Sequence, residues 1–282
     1  MFTVHKIDSF HLPALQPYRT MRRQMAHREE GIFVAEGEKV VRRLLASRFT
    51  VVSLLLPEKW LAELVHSLQA RPEVIDVFVA EKQLLEKLTG FSMYQGLLAV
   101  GKIPVPMLFA EILERSSRPY LLVAVDTLSN AENLGALVRN CAAFDVQALV
   151  IGETCCSPFL RRAVRSSMGA IFQLPVFESE NLVGTLQELR ARGLRCIAAH
   201  PHAEGRALPQ AHFSGDCCVV FGSEGHGLSP AVLEICDKAA AIPMPATVDS
   251  LNVGSAAAVF LYEANRQRGK FECRTLRSTI CG

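Results

Sequence analysis

No apolar run in this 282-residue chain approaches the roughly eighteen residues needed to span a bilayer, which excludes a membrane-spanning helix. No C-x-x-C occurs, and no Cys/His group has zinc-finger spacing, so no metal is expected. A G-x-G-x-x-G after a first strand is missing, with no acidic ribose ligand about twenty residues on, which argues against a nicotinamide oxidoreductase. The Lys-Ser/Thr of a P-loop is missing too. The net charge of +2 is too small to announce nucleic acid by itself. His5, Lys6 and Asp8 break any long apolar core near the first residue, so no signal peptide is expected. Repeats and low-complexity tracts are absent.

What is present is core-forming material. Half the residues are apolar, and the length suits one large domain or two ordinary ones. Nine cysteines form an odd set, including the adjacent pairs Cys155-Cys156 and Cys217-Cys218. Several sit in apolar strand-like runs, where a thiol acts as a small hydrophobe; they read as reduced thiols of a cytoplasmic protein. Residues 1–50 hold nine Lys/Arg against five Asp/Glu, which points modestly to a phosphate-bearing partner and equally well to a solvated helix face.

Residues 32–100 alternate strand and helix signals. Phe49–Leu56 reads as a buried strand, Pro57 opens the helical stretch Leu61–Leu68, and Val74–Ala80 and Gly96–Val100 are further strands. A small α/β domain over 1–105 is expected, closed by the prolines of Lys102-Ile103-Pro104-Val105-Pro106 and a linker over 106–119. From Tyr120 to the end, 120–282, the pattern is βαβ. Strands are expected at Leu121–Val125, Ala148–Ile151, Leu194–Ala199, Cys217–Phe221 and Ala239–Ile242. Helices are expected at Asn133–Phe144, Phe159–Met168, Leu182–Ala191 and Val253–Gln267, with an extended Ile171–Phe177. Strands alternating with helices argue a parallel, helix-covered sheet.

Three loops follow apolar strand-like runs, and strand ends are where open α/β sheets bind ligands. In Asn133-Leu134-Gly135-Ala136-Leu137-Val138-Arg139, Leu134, Leu137, Val138 and Cys141 form a buried face and Arg139 lies off it. A glycine early in a helix costs about 1 kcal/mol against alanine, so Gly135 signals a close approach to its backbone. Gly222-Ser223-Glu224-Gly225-His226-Gly227-Leu228-Ser229-Pro230 sets a carboxylate among glycines, with Ser229 as expected N-cap and His226 as a loop histidine. Ile242-Pro243-Met244-Pro245 leads to Ser250-Leu251-Asn252, whose Ser and Asn suit caps as much as catalysis.

Together with Arg165-Ser166-Ser167-Met168-Gly169-Ala170, these segments resemble the SpoU (TrmH) family of RNA ribose methyltransferases, of the SPOUT class, over roughly Tyr120 to Arg268. Departures are minor: Asn140-Cys141 follows the arginine where Thr-Ala is common, and Asp145 stands where glycine is usual. The resemblance implies a parallel-sheet α/β domain with a deep trefoil knot, a homodimer through the knotted region and last helix, and S-adenosylmethionine as cofactor. On matching positions the cofactor is held mainly by main chain at Gly222, Ile242 and Leu251, with Met244 and Asn252 beside them. Arg139 matches the essential arginine. Asn133, Glu224, Ser250 and Asn252 match positions that orient it and the ribose, with Glu224 expected to position Arg139 or neighbouring backbone. Phe33-Val34-Ala35-Glu36-Gly37-Glu38 is similar to a segment of the family's small ribosomal-protein-like substrate-binding domain. RNA contacts are expected at Arg22, Arg23, Arg161, Arg162, Arg165 and Ser167. The implied reaction is 2′-hydroxyl methylation of RNA, ribosomal RNA favoured; a transfer-RNA substrate and a non-catalytic RNA binder of the same fold remain open.

Overall fold

The structure, a computed structural model, describes residues 1–21, 24–89, 96–201, 207–245 and 247–270. The first part of the chain builds a five-stranded sheet from β1 (Phe2–Lys6), β2 (Ile32–Glu36), β3 (Val51–Leu56), β4 (Ile75–Val79) and β5 (Leu98–Lys102), in the order β1-β4-β3-β5-β2. β1, β4 and β3 run parallel, whereas β5 pairs antiparallel with both β3 and β2. Around it lie α1 (Gln16–Arg19), α2 (Gln24–Glu29), α3 (Glu38–Leu45), α4 (Glu58–Gln69) and α5 (Lys82–Thr89). Pro57 is the N-cap of α4, one residue before the first turn, so the helix opens earlier than its apolar face at Leu61. α6 (Phe109–Glu114) follows the proline-rich stretch.

The second sheet contains β6 (Leu121–Val125), β7 (Ala148–Ile151), β8 (Val176–Glu178), β9 (Arg195–Ala199), β10 (Cys217–Phe221) and β11 (Lys238–Ala240). All its pairings are parallel, in the order β11-β9-β10-β6-β7-β8. Every residue of β6, β7 and β10 is buried, as expected of strands covered on both faces. Leu121, Val123 and Val125 face one core with α7 (Ala131–Ala143) and α11 (Val253–Gln267). Leu122 and Ala124 face the other, beneath α6, α9 (Leu182–Ala191) and α10 (Pro230–Ile235). The expected extended Ile171–Phe177 is different: Ala170–Phe172 forms a 3-10 turn and only Val176–Glu178 is a strand. Ile171 and Phe172 are needed as core side chains, and burying both in adjacent positions suits a turn better than a strand edge.

The two sheets share one continuous core. Phe33 and Phe49 pack against Phe159 and Phe172, with ring centroids 5.3 to 6.1 Å apart. α8 (Arg161–Ser166) lies between β2 and α7.

The end of α11 is tied to the start of the second sheet through Arg268. Its guanidinium donates to the carbonyls of Phe213, Pro119, Tyr120 and Gly215 at 2.7–2.8 Å and to Cys217 Sγ at 3.3 Å. Charge-assisted bonds to main-chain acceptors are the stronger kind, and truncation leaves several of those carbonyls without a donor. Arg268→Ala is expected to cost about 2–3 kcal/mol, read as a lower urea midpoint at unchanged m-value. An unmoved midpoint would show that water replaces the guanidinium freely.

Candidate functional site

Three segments meet beyond the C-terminal ends of β6, β10 and β11. α7 starts two residues before the expected Asn133, because Asn130 caps it: Asn130 Oδ1 accepts from the N–H groups of Glu132 and Asn133 at 2.9 and 3.1 Å. That cap places Asn133 in the first turn with its amide facing the loop after β10.

This loop is a tight hairpin. Ser223 and Gly227 exchange main-chain hydrogen bonds at 3.0 and 2.9 Å, and the His226 N–H donates to Ser223 Oγ at 3.2 Å. Gly222 has to be glycine, since a β-carbon there would stand 2.1 to 2.4 Å from the main chain of Gly227 and Leu228. Ser229 is the N-cap residue of α10, yet its hydroxyl makes no capping bond. The Ser229 N–H instead donates to Asp126 Oδ2 at 2.7 Å. Asp126, buried at the end of β6, also donates its own N–H to the Phe221 carbonyl, and Thr127 Oγ1 donates to the Gly227 carbonyl at 3.2 Å. Asp126 and Thr127 therefore brace the hairpin. Motif reading missed them, although an acidic residue directly after the strand Leu121–Val125 was a visible signal.

The hairpin presents Glu224 to two asparagines. Asn133 Nδ2 donates to both Glu224 oxygens at 2.5 Å, and Asn252 Nδ2 donates to Glu224 Oε1 at 2.6 Å and to Asn133 Oδ1 at 3.0 Å. An ionised carboxylate only accepts, so both amides must turn their nitrogens toward it. Asn252 Oδ1 is then left to accept the Gly254 N–H at 2.9 Å, capping α11. The three side chains of this ring come from three separate segments: the first turn of α7, the hairpin after β10 and the N-cap of α11. Asn252 thus serves as cap and as ring member at once.

Beside the ring lies a cavity of about 360 Å³. Phe221, Ala240, Ile242, Met244, Leu251, Val253 and Phe260 give it apolar walls, and Gly222, Ser223, Gly225 and Gly227 expose main chain. Glu224, Asp249 and Ser250 also line it, whereas no Lys or Arg among the described residues does. The expected contacts Gly222, Ile242, Met244 and Leu251 are brought together here. Ser250 is exposed at the cavity wall, and its side chain makes no hydrogen bond among the described residues. Asn252 sits in the ring between the lining residues Leu251 and Val253.

Arg139 is elsewhere. It is exposed on α7, does not line the cavity, and is not bonded to Glu224, whose acceptors are occupied by the asparagines and, at 3.5 Å, the Val253 N–H. Of the expectation that Glu224 positions Arg139 or neighbouring backbone, the arginine part is not met: Glu224 instead holds Asn133 and Asn252 and accepts the neighbouring Val253 N–H. Two expected RNA contacts are also corrected. Ser167 is fully buried, with its hydroxyl donating to the Val164 carbonyl and accepting from the Gly169 N–H. Arg161 is mostly buried and bonded to Glu36. Arg165 also pairs with Glu36, at 2.9 Å, but keeps an exposed side chain; Arg162 is exposed. Arg22 and Arg23 lie outside the described residues.

Gly135 reports the close approach its sequence position signals: a β-carbon there would meet the Ala163 carbonyl oxygen at 2.4 Å and Ser166 Cβ at 2.6 Å, both of α8. The next residue, Ala136, crowds Gly254 of α11, where a β-carbon would stand 3.1 Å from Ala136 Cβ, and Asn140 Nδ2 donates to the Gly254 carbonyl at 2.5 Å. The described cysteines are free thiols, and burial pushes Cys155 and Cys156 up to about 11, so neither is a ready nucleophile near neutral pH. Among the described residues there is no cluster of metal ligands and no helix long and apolar enough to cross a membrane.

With this geometry in hand, likeness to known proteins is informative. The SpoU rRNA Methylase family matches residues 120–262. An uncharacterized tRNA/rRNA methyltransferase of Mycobacterium tuberculosis is 34% identical over 262 residues, 90% of this chain and 89% of that protein. The crystal structure of an RNA 2′-O ribose methyltransferase superposes with a TM-score of 0.77 at 25% identity, covering 95% of this chain and 99% of its own. An AdoMet-bound rRNA methyltransferase from Sinorhizobium meliloti shares the fold, with a TM-score of 0.79 at 22% identity over 93% of this chain and 98% of that one.

The Gly135 contact decides the sign of one substitution. In a free helix Gly→Ala gains about 1 kcal/mol. Here the added carbon meets a main-chain oxygen that cannot rotate away, and overpacking typically costs about 1–3 kcal/mol. Gly135→Ala is therefore expected to lower the melting temperature by several degrees; a stabilised variant would show that α8 is free to move off α7.

Proposed function

The chain belongs to the SpoU rRNA methylase family, RNA methyltransferases, and from that premise we propose that it methylates a ribose 2′-hydroxyl of RNA, ribosomal RNA above transfer RNA, using S-adenosylmethionine. The observation that carries the reading is the Asn133–Glu224–Asn252 ring on the rim of a cavity with apolar walls. The cavity fits this cofactor: apolar walls and exposed main chain suit adenine, while Glu224 and Asp249, with no Lys or Arg of the described residues in the lining, suit a ligand carrying ammonium and sulfonium charge. Gly222, Ile242, Met244 and Leu251 would hold it. When bound, the cofactor supplies an activated methyl group on a leaving group that departs neutral, so the chemistry needs no metal.

The chain's own task is the nucleophile. A 2′-hydroxyl is a weak acid that must be held in line and relieved of its proton, and positioning alone supplies much of such a rate. The ring fixes three polar side chains without flexible partners, which suits orientation of a ribose at the cavity mouth. A guanidinium keeps its charge at all ordinary pH, so Arg139 is assigned as a cation for the developing alkoxide and adjacent phosphate rather than as a base. Its position off its own cavity supports a homodimer in which Arg139 serves the second copy's site. The exposed stripe Ser255, Val259 and Tyr262 on α11 supplies a face for that copy.

In this reading residues 1–105 are a ribosomal-protein-like RNA-binding domain, 106–119 a linker and 120–282 the catalytic domain. The segment between β11 and α11 is taken to thread a deep trefoil knot. What supports the knot is that this segment and the β10 hairpin wall one cavity, while Leu208 donates to the Ala241 carbonyl at 2.7 Å from the loop after β9.

Arg139→Ala is expected to lower methyl transfer to RNA by at least about a hundredfold while S-adenosylmethionine affinity stays within about twofold. Normal turnover in that variant would contradict the assignment. RNA affinity is expected to fall by orders of magnitude between about 50 and 200 mM salt, because the grip is on phosphate. A flat salt response in a binding titration would contradict it.

A further inference from the structure

We propose that Glu36 is a positioning residue for the reaction: through α8 it sets where α7, with Asn133 and Arg139, stands relative to RNA held by the first sheet. The inference rests on the methyl-transfer reading above and extends it to a residue outside the catalytic domain.

Glu36 is the last residue of β2 and is buried, yet its partners belong to the other half of the molecule. One carboxylate oxygen takes Arg161 and the other takes Arg165, at 2.9 Å, one turn apart on α8. For Arg161 the dependence is complete: its Nε is buried without a partner, and Glu36 is the acceptor its guanidinium finds among the described residues. A buried cation without its counter-charge is strongly unfavourable, so the pair acts as a fixed rivet.

Phe33 of the same segment and Arg43 of the following helix reinforce this. Phe33 packs on Phe159 and Phe172, and Arg43 of α3 donates to the Met168 carbonyl at 2.7 Å, just past α8. The segment Phe33–Gly37 is thus a docking face for α8.

The opposite side of α8 continues the path. Ala163 and Ser166 press on Gly135, with no room for even a methyl group between them. Gly135 lies two residues after Asn133 and four before Arg139. Close-packed contacts of this kind transmit displacement, since no void absorbs it. A shift of α8 on the first sheet therefore becomes a shift of α7 at the ring. Neither Glu36 nor its partners Arg161 and Arg165 lines the cavity, and of the ring only Glu224 does, so the path bears on Asn133 and Arg139 more than on cofactor affinity.

The test compares the full-length wild type, Glu36→Gln and Glu36→Ala by amide hydrogen exchange, S-adenosylmethionine titration, RNA binding and single-turnover methylation of total RNA from cells lacking the protein. Glu178→Gln, which removes the peripheral pair of Glu178 with Arg28 across the same interface, is the control. In the Glu36 variants, exchange over 161–167 and 131–136 is expected to accelerate by about tenfold or more. The methylation rate is expected to fall by about ten- to a hundredfold, with cofactor and RNA affinities within about threefold. The control should leave all four unchanged. Unchanged exchange in α7, or a rate loss matched by lost cofactor affinity, overturns the proposal. Should the wild type methylate no RNA, the function proposed above fails, while the exchange result still supports or overturns the coupling.

Discussion

Helix α7 has no freedom at Gly135, where a β-carbon would stand 2.4 Å from a carbonyl oxygen of α8, and much of the molecule is arranged around that contact. The same helix is bounded on another side by α11, through Ala136 and the bond from Asn140 to Gly254. Its first turn is capped by Asn130 and closes the ring with Glu224 and Asn252. A helix fixed on three sides carries its polar residues to defined places without any of them being buried. The Asn133 amide can therefore stay partly exposed and still be held by Glu224 and Asn252.

The glycine-rich hairpin after β10 is the second rigid part. Its shape comes from the Ser223–Gly227 pairing and from Gly222, and its attachment comes from Asp126 and Thr127 at the end of the adjacent strand. Glycine here supplies close main-chain packing; flexibility is not its role. The carboxylate at the tip is consequently a fixed acceptor, and the two asparagines orient themselves on it. That order of dependence, strand to hairpin to carboxylate to amides, explains how an exposed polar cluster keeps one geometry.

Much of this was legible in the residues. The apolar runs Leu121–Val125, Ala148–Ile151 and Cys217–Phe221 announce buried parallel strands because both faces are covered, and Gly135 announces a close approach because it is costly in a helix. The convergence of Gly222, Ile242, Met244 and Leu251 on one cavity follows from loops that leave one edge of one sheet. Partners were less legible. Arg161 and Arg165 look like phosphate ligands in a basic helix, but their carboxylate lies more than a hundred residues earlier, at Glu36. Ser167 is short enough to vanish into the core, and its hydroxyl is satisfied within its own turn. Asp126 belongs to no glycine- or proline-marked motif, so its role emerges only when β6 and β10 are seen to be neighbours.

The central claim, that this site methylates a ribose of RNA, is tested most directly by mapping 2′-O-methylation across total RNA from cells with and without the protein. The account predicts the loss of a defined ribose methylation, in ribosomal RNA, restored by the wild-type chain. An unchanged map in cells that express the protein, together with no binding of S-adenosylmethionine to the purified chain, would contradict it.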